Sequence, residues 1–184
     1  MPSTSKTSAK SSKGAAKTPA KKTSTRSKEA APQDAIELLT ADHKEVKALF
    51  KNYEKLVEDE AESDEKQALA LQICAMLTAH ATVEEEFFYP AAREVLGEDE
   101  DIVEEADVEH ASAKELIAQI EAGSPDEPLY DAKVKVLGEY IEHHVKEEEG
   151  EMFPKIRKSD LDLEAIGEEM EARKAELLED SEAH

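Results

Sequence analysis

The stretch HATVEEEFFYP, residues 80–90, decides the fold when set beside HVKEEEGEMFP, residues 144–154. His80 is followed by Glu84 and Pro90, and His144 by Glu148 and Pro154. Each reads as His, three residues, Glu, five residues, Pro. At helical pitch, residues i and i+4 lie on one face, a turn apart. Each stretch therefore offers an imidazole and a carboxylate side by side. Proline lacks an N–H, so the helix should kink or restart at Pro90.

The flanking sequence keeps the same rhythm. Ile36, Leu39, His43, Val46, Phe50, Tyr53 and Val57 recur three and four apart, the seam of a first helix with Pro32 in its first turn. In the acidic run that follows, Ser63 and Asp64 suit a turn and a cap. Leu69, Ile73, Met76, His80 and Phe87 mark a second seam, which Gly97 ends. Val103, Ala106, His110, Ala113, Ile117 and Ile120 mark a third, followed by a loop with Gly123, Pro125 and Pro128. Leu137, Ile141, His144, Glu148 and Met152 mark a fourth. A shorter fifth helix is expected around Leu163, Ile166, Met170 and Leu177. The expected fold is all-α: an antiparallel up-down-up-down four-helix bundle over 32–157 and a short accessory C-terminal helix in 158–184.

In that topology, residues equally far from an intervening loop share a height. His43 and His80 match across the first loop, and Glu84 and His110 across Gly97. His110 and His144 differ by about one turn, ~5.4 Å. Four seam histidines and two glutamates should thus meet at mid-bundle. A lone seam histidine is ordinarily a hydrogen-bonded core residue, and glutamate is abundant here. Histidine is not: the chain has six, and four fall on four different seams. Burying a carboxylate is costly unless something compensates it, and a metal pair would compensate both. Imidazole and carboxylate without thiolate suit iron or manganese, with zinc also admissible.

Composition sets the surroundings. The net charge is −22, yet residues 1–30 hold eight basic groups against Glu29, a net +7 that leaves −29 on the rest. A body that acidic repels nucleic acid and anionic membranes and attracts cations. Residues 1–31, rich in Lys, Ser and Ala, are expected to be a disordered basic tail able to make weak nucleic-acid contact. One cysteine, Cys74, excludes an internal disulfide. No apolar run approaches the ~20 residues of a membrane span, and the N-terminus has no apolar signal core, so a cytoplasmic setting is expected.

The motifs Asp42-His43, His80-x3-Glu84, Glu109-His110 and His143-His144-Val145-Lys146-Glu147-Glu148, with Phe153-Pro154, resemble the hemerythrin-like (HHE cation-binding) family over roughly residues 34–157. The resemblance implies a non-haem di-iron centre, oxo-bridged or not. Its ligands would be His43, His80, Glu84, His110, His144 and Glu148, with both glutamates bridging. Two departures stand out. Lys114 occupies the place of the fifth histidine of oxygen-carrying members, and Glu148 replaces an Asp one residue further on. The set looks more like that of stress-response members than of oxygen carriers.

The function so implied is binding or reduction of a small oxidant: dioxygen, nitric oxide or peroxide. The alternative is an iron sensor or store whose occupancy signals to a partner. Oligomeric state is open. The proline register selects His144 and Glu148 over His143 and Glu147, so His143 should point aside. Glu85 and Glu109 either orient imidazoles or, more simply on so acidic a chain, form a solvated face. Tyr53, Tyr140, Phe87 and Phe88 are expected in the core, and His184 in a disordered terminus.

Overall fold

The computed structural model describes residues 34–182. The expectations for Pro32, the tail 1–31 and His184 fall outside the described residues. Asp34 opens the first helix: its side chain accepts a hydrogen bond from the Glu37 N–H, satisfying one of the donors a helix start leaves free. From there α1 runs Ala35–Glu58. The turn to α2 (Ser63–Val83) passes through Glu60 at φ 51°, and Ser63 lies inside the helix, where its hydroxyl donates to Asp126. Glu62 takes the cap position with no side-chain hydrogen bond, so the cap expected of Ser63 and Asp64 is not made.

Proline does not simply kink the second helix. A π-helical turn, Glu84–Phe88, joins α2 to α3 (Tyr89–Leu96). The Tyr89 N–H bonds the Glu84 carbonyl, five residues back. Pro90 cannot donate, and its ring would crowd the carbonyl four residues before it; the wider turn relieves both problems. The repeat does the same. After α4 (Asp101–Glu121) and α5 (Tyr130–Glu147), a π turn over Glu148–Met152 leads into α6 (Phe153–Ile156), with the Phe153 N–H on the Glu148 carbonyl. Such turns recur at functional sites. Each begins on one of the two glutamates singled out by spacing.

The four long segments close a ring: α1 packs on α2 and α5, and α4 packs on the same two. The fifth helix, α7 (Leu163–Glu182), is not short; its 20 residues match the bundle helices, and it lies across α1, α2 and the first π turn. Its approach is close. A Cβ on Gly167 would stand 2.7 Å from the Ala35 backbone nitrogen, so only glycine fits there. Met170 is fully buried beneath it, a contribution to docking of about 1.5–3 kcal/mol.

Two apolar clusters fill the bundle. One holds Leu39, Val83, Phe88, Ala106, Phe153 and Met170; the other holds Val46, Ile73, Leu77, Ala113, Leu137 and Ile141. His43 falls between Leu39 and Val46, His80 between Leu77 and Val83, and His110 between Ala106 and Ala113. The histidines thus form a polar belt between two greasy ends. Tyr53 and Phe88 are in the core as expected, but Tyr140 is 49% exposed and lines a surface groove. Among the described residues there is no strand, and no helix is long and apolar enough to cross a membrane.

Candidate metal centre

All six residues singled out in the sequence are buried and lie together: His43, His80, Glu84, His110, His144 and Glu148. Their ligand atoms form two overlapping groups. His43, His80, Glu84 and Glu148 make one; Glu84, His110 and His144 make the other. Glu84 Oε2 lies 3.3 Å from His80 Nε2 and 3.4 Å from His110 Nε2. Glu148 Oε2 lies 3.2 Å from His43 Nε2 and 3.5 Å from His144 Nε2. Each glutamate therefore reaches an imidazole on either side, although only Glu84 belongs to both groups.

The outer ring nitrogens explain how the imidazoles are held. His80 Nδ1 meets Asp42 at 3.2 Å, His110 Nδ1 meets Glu85 at 3.0 Å, His144 Nδ1 meets Glu109 at 2.8 Å, and His43 Nδ1 meets Glu149 at 2.9 Å. Carboxylates only accept, so each Nδ1 carries a hydrogen, and a neutral imidazole held this way turns its Nε2 lone pair inward. Every one of these carboxylates is the chain neighbour of a site residue on a different segment. Asp42 beside His43 holds the histidine of α2. Glu85 beside Glu84 holds that of α4. Glu109 beside His110 holds that of α5, and Glu149 beside Glu148 returns to α1. The four links close a circuit around the bundle. The simpler reading of Glu85 and Glu109 as a solvated face is thereby corrected.

The interior of this circuit has fewer donors than acceptors. His43 Nε2, both Glu84 oxygens and Glu148 Oε2 are buried without a hydrogen-bond partner. His110 and His144 turn Nε2 toward Nε2 at 3.3 Å. Unpartnered acceptors gathered in a buried space are an arrangement that a cation resolves.

The electrostatics follow. Burial, reinforced by the charge of Glu148, pushes the Glu84 carboxyl well above its ordinary value. Burial also works to raise Glu148, but the charge of His144 and the close approach of His43 outweigh it and hold that carboxyl at about 2. Burial and the charge of His144 pull His110 down to about 4. For Asp42, burial is outweighed by His80 and Lys174, and the carboxyl sits below its usual value.

Tyr89 is a site residue that the spacing argument missed. Its hydroxyl donates to Glu148 Oε1 at 3.0 Å and stands 3.2 Å from His110 Nε2. Burial, with the charges of Glu84 and Glu148, raises its phenol and keeps the donated proton in place. In the repeat, the same position is Phe153, whose ring stacks on His43 with centroids 5.8 Å apart. An aromatic residue directly before each proline was the available signal. His143 lies outside the cage, exposed and paired with Glu147 at 3.2 Å and Glu109 at 3.5 Å.

Above the belt lies a cavity of about 20 Å³. All four cage histidines line it, with Val46, Leu77, Ala113, Ile117 and Ile141 as apolar walls and Lys114 at one side. That volume holds a water-sized molecule and little more.

The model of the hemerythrin HHE cation binding domain matches residues 34–156. The chain belongs to this family. A solved relative, the hemerythrin HHE cation binding domain-containing protein of Mycobacterium kansasii, is 25% identical, with a TM-score of 0.65, covering 80% of this chain and 88% of that one. A DNA nickase from Nostoc sp. is 34% identical over 125 residues, 68% of this chain. That stretch is 33% of the nickase, so the chain spans about a third of its length. As an HHE domain, the bundle is a cation-binding scaffold, and its buried His/Glu groups are those able to hold metal. The match ends at Ile156, before α7 begins.

Proposed function

We propose that this HHE protein holds two iron ions and binds or reduces a small oxidant: dioxygen, nitric oxide or peroxide. The observation that carries the reading is the buried cage: His43 Nε2, both Glu84 oxygens and Glu148 Oε2 have no hydrogen-bond partner, and each imidazole is locked from behind. His43 and His80 would serve one ion, His110 and His144 the other, and Glu84 and Glu148 would lie between them. Manganese or zinc is the alternative occupant of the same donor set. Iron so bound would supply the redox chemistry and an open coordination position. The chain's own residues do the rest. The apolar walls exclude water and admit only small molecules, Lys114 and Glu85 pair at 2.6 Å beside the cavity, and Tyr89 keeps a hydroxyl proton directed at Glu148.

Metal analysis and a visible spectrum of protein purified without added metal test this. About two irons per chain with oxo-bridge absorption is the expected result; a folded protein that carries no metal and takes up no iron on titration would overturn it. Peroxide turnover, or rapid bleaching by nitric oxide, separates chemistry from storage.

A second reading has its own support. Residues 1–30 are basic and a relative is a DNA nickase. The protein would then be a metal-occupancy sensor tethered to DNA by its tail. Nicking by the cage itself is disfavoured, because a 20 Å³ cavity in so acidic a body has no room for a phosphodiester strand. Deleting residues 1–30 should spare iron and weaken DNA binding in a gel-shift assay; equal affinity without them would remove this reading.

A further inference from the structure

Of the carboxylates that hold the imidazoles, Asp42 is the most deeply buried, with its side chain 6% exposed, against 22–39% for Glu85, Glu109 and Glu149. Asp42 also has a partner from outside the bundle. Lys174, on α7, donates to Asp42 Oδ1 while Asp42 Oδ2 faces His80 Nδ1. The lysine is itself largely buried, 17% exposed. Its neighbour Arg173 binds Glu86, on the first π turn, from a more exposed position. Gly167 and Met170 fix the height of α7 against α1. The helix is thus placed by backbone contact and a buried side chain, and it presents Lys174 to Asp42.

We infer that α7, which lies beyond the matched HHE domain, completes the metal centre: Lys174 anchors Asp42, Asp42 orients His80, and the metal position served by His43 and His80 depends on that chain of contacts. This rests on the metal reading above. The physical reason is local. A carboxylate buried this deeply needs its charge answered, and a buried partner on a docked helix answers it at one fixed angle. The oxygen left over then holds the His80 Nδ1–H, which sets where Nε2 points. Carboxylates that orient a metal-binding histidine typically matter 10–100-fold in metal affinity. Lys174 is one contact further back, so it is a positioning residue. The asymmetry is also informative: His110 and His144 are held by Glu85 and Glu109, neither of which contacts α7 in the hydrogen bonds and ion pairs of the described residues.

The test is anaerobic titration of the metal-free full chain with iron(II), followed by competition with a chromogenic iron chelator. Wild type should hold two equivalents. Lys174→Met should release one of them on the order of 10-fold or more faster and keep the other. Lys174→Arg should restore retention. Arg173→Met, which removes the adjacent charge from the same helix, should leave both equivalents unchanged. Asp42→Asn should lose the same equivalent, and adding Lys174→Met to it should cost little more, because the two act through one contact. Far-UV circular dichroism of each metal-free variant monitors folding. Equal retention of both equivalents by Lys174→Met overturns the inference while leaving the metal site standing. So does simultaneous loss of both with loss of helicity, which is the signature of a merely structural role. A wild type that takes up no iron overturns the metal reading itself.

Discussion

The two arms 80–90 and 144–154 share one spacing and differ in almost everything around it. Both place His one turn before Glu, both open a π turn at that Glu, and both follow the turn with an aromatic residue and then proline. Backbone geometry is therefore duplicated. The electrostatics are not. The carboxyl of Glu84 is driven up by burial, whereas that of Glu148 is drawn down to about 2 by the His144 charge and the His43 contact. One arm contributes a phenol, Tyr89, and the other a bare ring, Phe153. The first arm lies under α7 and the second has no comparable cover among the main helix contacts. Repeated spacing sets where the side chains stand; neighbours from other segments set what each can do.

Breaking the better-satisfied arm should have the largest effect. Glu148→Ala removes a buried carboxylate paired with His43 and His144. Loss of one partner from such a pair costs about 3–5 kcal/mol, to be read by denaturant unfolding, with metal lost in parallel. The matched control is Glu147→Ala. Glu147 pairs with exposed His143, and a surface change of this kind stays within about 0.5 kcal/mol. The reverse ranking would mean that the register of the second arm is wrong.

Tyr89→Phe makes the arms alike. It removes one hydrogen bond to an ionised carboxylate, worth about 1.5–3 kcal/mol, and the melting temperature of the metal-free protein should fall accordingly. An unchanged melting temperature would show that the phenol does not distinguish the arms.

Glu84→Gln acts in the opposite direction. Without metal, Glu84 is a buried carboxyl facing lone pairs; an amide supplies two donors there. Metal should be lost, yet the metal-free protein should gain stability, on the order of 1–3 kcal/mol. The pH dependence has a definite sign. Glu84 is raised above its ordinary 4.5, so its contribution is fully present below about 4.5 and is lost as pH rises through the folded value. Melting of the metal-free wild type should therefore show this fall toward neutral pH, and Glu84→Gln should lack it. A variant with the same pH slope would place the proton elsewhere.

Much of this was legible in the sequence because it rests on helical periodicity. The four seams, the meeting of His43, His80, His110 and His144, and the exclusion of His143 follow from three-and-four spacing plus two prolines. What was not legible depends on departures from that spacing. A regular helix puts Phe88 one turn below Glu84; the π turn inserts a residue and brings Tyr89 there instead. The holding carboxylates were hidden for another reason. Asp42, Glu85, Glu109 and Glu149 each serve a histidine on a different segment, and on a chain with 45 acidic residues nothing in composition marks these four. Lys174 was hidden by distance, 132 residues from the aspartate it binds. Tyr140, expected in the core as an aromatic residue, faces solvent, because it lies off the seam of Leu137, Ile141 and His144.

The closed circuit of holding carboxylates has a kinetic consequence. Each segment both gives a carboxylate and receives one, so lifting any one of them away breaks two links at once. No segment can open the cage by breaking fewer. Ions inside should therefore leave on the timescale of concerted bundle opening rather than of fraying ends, and the slowest amide exchange should fall at the middle of the helices, beside the histidines.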